Sequence, residues 1–155
     1  MSKDLRYYQI EADKAVKSAL KRLVKKLLLL MPGGTGKTFT AVNIVKDMGR
    51  KLWISHEESL LEQSAIALLS ELELMPYEDL ITTIELEGGL IALLENSKKH
   101  TFISDNVKLI SQNIGMVKAD LFDINKPIVM ASAQTLHSRL SKIPKDWFKV
   151  IIADE

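Results

Sequence analysis

The chain has 155 residues, 46% of them hydrophobic, with 21 basic and 20 acidic side chains and a formal net charge of +1. That length and apolar content suit one real core, and the balanced charge gives no overall basic field, so any nucleic-acid contact must be local. The absence of cysteine excludes a disulfide framework and thiolate metal sites, and His56, His100 and His137 match no ligand spacing.

In chain order, Leu5 to Lys26 reads as a helix, with Tyr8, Ala12, Ala15, Val16, Ala19, Leu20 and Leu23 on one stripe. Asp4, Glu11 and Asp13 interrupt its basic residues, and there is no apolar core of signal-peptide length. The apolar run Leu27 to Met31 is too short to span a bilayer, and a soluble, cytoplasmic protein with no membrane partner is the default expectation. Leu27 to Leu30 reads instead as a strand leading into Met-Pro-Gly-Gly-Thr-Gly-Lys-Thr, residues 31 to 38. That octet is a phosphate-binding loop with Met31 where the strict pattern has Gly. The turn Pro32-Gly33-Gly34-Thr35-Gly36 would wrap the β-phosphate with the backbone amides that follow Pro32, Lys37 would reach the β- and γ-phosphates, and the Thr38 hydroxyl would coordinate Mg²⁺. Lys37 to Met48 then reads as a helix, ended by Gly49, whose N-terminal dipole also favours an anion.

Lys51 to Ser55 is a short strand, and Ser55-His56-Glu57-Glu58 has capping-box spacing ahead of a helix over Glu57 to Leu72. Between Pro76 and Asn113 a helical excursion is expected, with helices over Tyr77 to Ile84 and Leu90 to Asn96 separated by Gly88-Gly89. Ile114 to Lys118 and Ile128 to Ala131 are strands, the second set off by Asn125-Lys126-Pro127, and Gln134 to Leu140 is a short helix. Val150 to Ala153 is a final buried strand ending on Asp154-Glu155. The alternation predicts a mainly parallel, three-layer α/β sandwich. An apolar strand ending in Asp-Glu far downstream of a phosphate loop is the loop's expected partner: Asp154 would hold Mg²⁺ through its water shell, and Glu155 would orient and deprotonate the attacking water.

Four segments in this order resemble the first motor domain of superfamily 2 helicases and translocases, the group of DEAD/DEAH-type proteins and restriction-enzyme motor subunits. Leu5-Arg6-Tyr7-Tyr8-Gln9-Ile10-Glu11-Ala12 is similar to the upstream segment whose Gln reads adenine, with Arg6 and Gln9 as nucleotide contacts; a Gln amide can pair with N6 and N7 together. Leu52 to Gln63 is similar to motif Ia, which touches the nucleic-acid backbone. Many relatives have Arg where this chain has Glu57, so contact here would fall to Ser55, His56 or backbone amides. Ile128 to Leu136 is similar to the segment that places a Gln-Thr pair near the bound strand, here Gln134 and Thr135, with Arg139 one helical turn on. Asp154-Glu155 matches the first half of the family's four-letter signature.

The resemblance implies a P-loop NTPase of RecA-like fold, ATP and Mg²⁺ as cofactors, and a nucleic-acid track, with DNA favoured over RNA. It also implies that residues 1 to 155 are part of a helicase ATP-binding domain, ending just after the Walker B strand, with the excursion at about 65 to 113 left uncovered. In relatives a later strand inserts between the two nucleotide-motif strands, and a second RecA-like domain supplies arginines worth roughly 10³ to 10⁵ in rate. The expectation is thus a parent that hydrolyses ATP to move on nucleic acid, and a chain that binds nucleotide and turns over little. Two other readings stay open. One is a P-loop NTPase of another class, although Asn125-Lys126-Pro127-Ile128 lacks the acid of a guanine-reading motif. The other is a non-catalytic domain that binds nucleotide or a partner.

Overall fold

A computed structural model describes residues 4 to 154. The chain forms two compact units, one running to Asp47 and the other starting at Met48.

The first unit holds α1 (Tyr7–Lys21) and α2 (Lys37–Val45). α1 stops five residues short of the predicted end because the chain turns left-handed at Leu23 (φ 64°). The Leu23 amide donates to the Leu20 carbonyl and the Val24 amide to Ala19, the paired bonds of a Schellman cap with leucine at the position glycine usually fills. The leucine run that follows is not a strand. Residues 22 to 36 carry neither helix nor strand, and Leu28 and Leu30 are 84% and 80% exposed. Strand geometry in an apolar run is held by ladder bonds from a neighbour, and none of the strands among the described residues pairs with this segment.

The second unit is a five-stranded sheet with order β3-β2-β4-β1-β5, built from β1 (Lys51–Ser55), β2 (Ile114–Lys118), β3 (Leu121–Phe122), β4 (Ile128–Ser132) and β5 (Val150–Ala153). Every pairing is parallel except the short β2–β3 hairpin. Parallel neighbours need long crossovers. Between β1 and its neighbour β4 run α3 (Glu58–Glu71), α4 (Tyr77–Leu86), α5 (Leu90–Lys99), α6 (Asp105–Asn113) and the β2–β3 hairpin, and after β4 comes α7 (Ala133–Arg139) with a short 3₁₀ turn at Leu140–Lys142. On one face Leu52, Val117, Val129 and Ala131 pack with Ile124 and with Leu136 of α7. The alternate residues Trp53, Met116 and Met130 are also fully buried, and Met116 lines a small cavity with Leu61 of α3 and Leu90 of α5. Helices on two faces make this unit three-layered, as the alternating pattern predicts.

Local chemistry explains the joints. The Ser55 hydroxyl accepts the Glu57 amide at 3.4 Å, but Ser55 still belongs to β1 and Glu57 is the N-cap, so the predicted capping box does not form. α5 is capped from a distance instead: Glu62 Oε2 accepts the Leu90 amide at 3.0 Å beside Gly89, which turns at φ 111°. Helix α6 and strand β3 were not predicted. α6 starts where the Ser104 hydroxyl accepts the Val107 amide and buries only Val107 and Ile110. Trp147 Nε1 donates to the Ile124 carbonyl at 2.6 Å beneath the Arg50 guanidinium, 4.0 Å from the ring centroid, and so anchors the approach to β5. The strand expected to be buried at Val150 to Ala153 is not: β5 pairs with β1 at the edge of the sheet, none of its four residues is fully buried, and Ile151 is 60% exposed.

Two stability outcomes follow from backbone geometry. A Cβ at Gly115 would lie 2.3 Å from the Asp123 carbonyl oxygen, so Gly115→Ala should lower unfolding free energy by about 1–3 kcal/mol in a urea titration. Leu23→Gly should raise it by up to about 1 kcal/mol in the same measurement by relieving the left-handed leucine.

Candidate functional site

The phosphate loop lies in the first unit. Gly34 and Gly36 take φ of 73° and 82°, a conformation other residues rarely adopt, and the Thr35 hydroxyl donates to the Pro32 carbonyl at 2.6 Å to close the turn. Gly36 is the N-cap of α2, its carbonyl accepting the amide and hydroxyl of Thr40 at 2.9 Å each. Lys37 and Thr38 are therefore the first two helical residues, at the positive end of the helix dipole. Lys37 is exposed and, among the described residues, has neither an acidic partner nor a hydrogen bond. A Cβ built at Gly33 or Gly34 would meet nothing within 4 Å, so the loop has open space on the side where side chains would stand. Free amides, a helix N-terminus and an unpaired ammonium form a donor set that fits a polyphosphate.

Three residues of α1 and its cap bear on this loop. Gln9 is 5% exposed; its Oε1 accepts the Arg6 amide at 2.9 Å and its Nε2 donates to the Thr35 carbonyl at 3.2 Å. The Tyr8 hydroxyl donates to the same Thr35 carbonyl at 3.2 Å and accepts from Arg6 Nη1 at 2.9 Å. Gly36 leaves room for this arrangement, since a Cβ there would sit 2.9 Å from Gln9 Nε2. The amide of Gln9 thus uses one of its donors and one acceptor position on the protein and keeps one of each. Arg6 is committed to Tyr8. The sequence singled out Gln9 and Arg6 but missed Tyr8, whose adjacency to Gln9 was the only available signal.

The second unit gathers the other candidates at the carboxyl ends of its parallel strands. Ser55 stands opposite Ser132 in the β1–β4 register, and the Asp154 amide donates to the Ile54 carbonyl at 2.8 Å, so Ser132, Ser55 and Asp154 end three adjacent strands in one row. Ser55 is buried and its hydroxyl is turned to the Glu57 amide. His56 is exposed, with Nε2 3.6 Å from Glu57 Oε1. Ser132, which the sequence did not single out, accepts the Thr135 amide at 3.3 Å and starts α7; a serine three residues before Thr135 was the signal for this cap. Gln134 is exposed and Thr135 half-buried at the first turn of that helix. Arg139 is drawn away to the β2–β3 turn, where Nη1 donates to the Leu121 carbonyl at 2.9 Å and Nη2 to that of Ala119. Glu155 lies outside the described residues. Among those residues no group of three or more acids and histidines is placed to hold a metal ion.

The doubly bound Thr35 carbonyl has a measurable consequence. Tyr8→Phe removes one of its two hydrogen bonds and should weaken binding of a fluorescent ATP analogue by about two- to tenfold, while leaving the far-ultraviolet circular dichroism spectrum unchanged. Gln9→Ala should weaken binding more, because it also strips the Arg6 amide of its partner.

A comparison with protein-family models matches residues 2–155 to the family described as type III restriction enzyme, res subunit. No curated protein matches the chain significantly. The family is one of N-terminal motor domains of helicase superfamily 2, and the chain belongs to it.

Proposed function

We propose that this member of a helicase-like motor family binds Mg²⁺-ATP on its phosphate loop and is the ATP-binding part of a motor that moves on nucleic acid, DNA favoured over RNA. The observation that carries the reading is Lys37: an exposed ammonium with no acidic partner among the described residues, at the start of α2, behind two left-handed glycines. Gly33 to Gly36 hold the β-phosphate with their amides, Pro32 sets the entry to the turn, Lys37 takes the β- and γ-phosphate oxygens, and Thr38 offers its hydroxyl to the metal. The donor and acceptor that Gln9 keeps match adenine N7 and N6, and Arg6 borders the same position. In the family's scheme Asp154 holds the metal through water and Glu155 positions and deprotonates the attacking water. Mg²⁺, when bound, supplies charge neutralisation at the phosphates.

At the other candidate surface, Gln134 and Thr135 hydrogen-bond phosphates of the track from the start of α7. Ser55 and His56 contribute less, because the hydroxyl faces the Glu57 amide and the imidazole has a carboxylate beside it. Arg139 acts indirectly, by holding the β2–β3 turn. In this reading residues 1 to 155 supply the nucleotide-binding loop of the motor.

Equilibrium titration with a fluorescent ATP analogue and Mg²⁺ tests the reading. Lys37→Ala should weaken binding at least about tenfold, since it removes a charge-assisted contact. Competition should favour ATP over GTP, and Gln9→Ala should erase that preference. Preference for GTP, or a Lys37→Ala chain that binds as well as the unaltered one, would assign the loop to another class of NTPase.

A further inference from the structure

The connection between α5 and α6 carries a feature that the phosphate loop and the strand ends do not use. Phe102 is 94% exposed, in the five-residue link from His100 to Ser104. Immediately before it come Lys98, Lys99 and His100, all exposed. Lysines in the last turn of a helix are ordinary, because they offset its terminal carbonyls. A phenylalanine presented almost entirely to water is not, since burying such a ring is worth about 1.5–3 kcal/mol. Nothing in the second unit's core needs it.

Beside these residues Ser97, Lys98, Ser111 and Lys126 line a cavity of about 190 Å³, which is large enough for a phosphate and its waters. Asp123 also lines it, and its Oδ1 is taken by the Asn125 amide at 3.1 Å. Lys98 and Lys126 therefore border one cavity at the end of α5, while the Ser97 and Ser111 hydroxyls donate within their own helices, to the Leu94 and Lys108 carbonyls at 2.8 and 3.0 Å. Lys98 and Phe102 are four positions apart in the chain, so their Cα atoms lie within about 14 Å of one another. An exposed aromatic ring a few residues along the chain from clustered lysines is the chemistry that holds single-stranded nucleic acid: bases stack on the ring, and the cations follow the backbone.

We propose that the α5–α6 corner is a contact site for single-stranded nucleic acid, with Phe102 as the stacking platform and Lys98, Lys99 and Lys126 as the phosphate contacts. The proposal rests on the nucleic-acid reading above, and adds to it a surface outside the strand ends. A protein partner would be served by the exposed ring but would leave Lys98, Lys99 and Lys126 without a role.

Fluorescence anisotropy of a labelled single-stranded DNA oligonucleotide with the full chain tests it. Phe102→Ala should weaken binding at least about fivefold, and Phe102→Trp should restore it. Lys98→Gln with Lys99→Gln should flatten the logarithmic salt slope by about 1.4, which is two phosphate contacts on a single strand. The tryptophan of Phe102→Trp should be quenched as DNA is added, a signal that a role confined to folding would not give. Unchanged affinity in Phe102→Ala, with binding lost in a chain carrying Gln134→Ala and Thr135→Ala, would overturn this site and leave the motor reading standing. An unaltered chain that binds no oligonucleotide would overturn both.

Discussion

The pairing of β1 with β4 is the constraint on which the second unit depends. The two strands are parallel, in register from Lys51 opposite Ile128 to Ser55 opposite Ser132, and nearly every residue of the pair is buried. Parallel neighbours cannot be joined by a tight turn, so the chain must travel the length of the sheet between them, and helices are the way to do so without orphaned backbone groups. Four helices and the β2–β3 hairpin thus stand between β1 and β4, and the strands' carboxyl ends gather on one edge. That edge is where Ser55, Ser132 and Asp154 fall in a row. Its chemistry follows from register more than from any single motif.

Where local pattern and long-range pairing agreed, the sequence was informative. β1, β2 and β5 have their predicted boundaries, because short β-branched and apolar runs bounded by Gly, Asn or Lys have few other uses. Leu27 to Leu30 had the same apolar signal and no pairing partner among the described residues, so composition alone misled. α6 was hidden by Lys108, Ser111 and Gln112, which leave too few apolar positions to show a period. Ser55 looked like a cap because its spacing to Glu58 is right, but β1 keeps hold of it for one residue more.

The site was legible to different depths. The dihedrals of Gly34 and Gly36 are what the loop motif demands, so the motif carried the geometry with it. The tie from Gln9 and Tyr8 to the Thr35 carbonyl spans 26 and 27 residues, and no local pattern encodes it. Its physical value is preorganisation. A loop already held in shape gives up less conformational freedom when a ligand arrives, so more of the contact energy remains as affinity. Arg139 shows the opposite case: a cation well spaced for phosphate in the sequence is used by the fold to hold two turn carbonyls.

β5 has a further consequence for how the molecule behaves in company. Val150, Ile151, Ile152 and Ala153 form an uncharged edge strand with no proline or bulge, and Ile151 and Ala153 face solvent. A bare edge of this composition is a template for intermolecular pairing, the first step toward aggregation. Lys149 and Asp154 stand at its two ends as gatekeepers. Colloidal behaviour at high protein concentration and the placement of Asp154 are thus governed by the same four-residue strand.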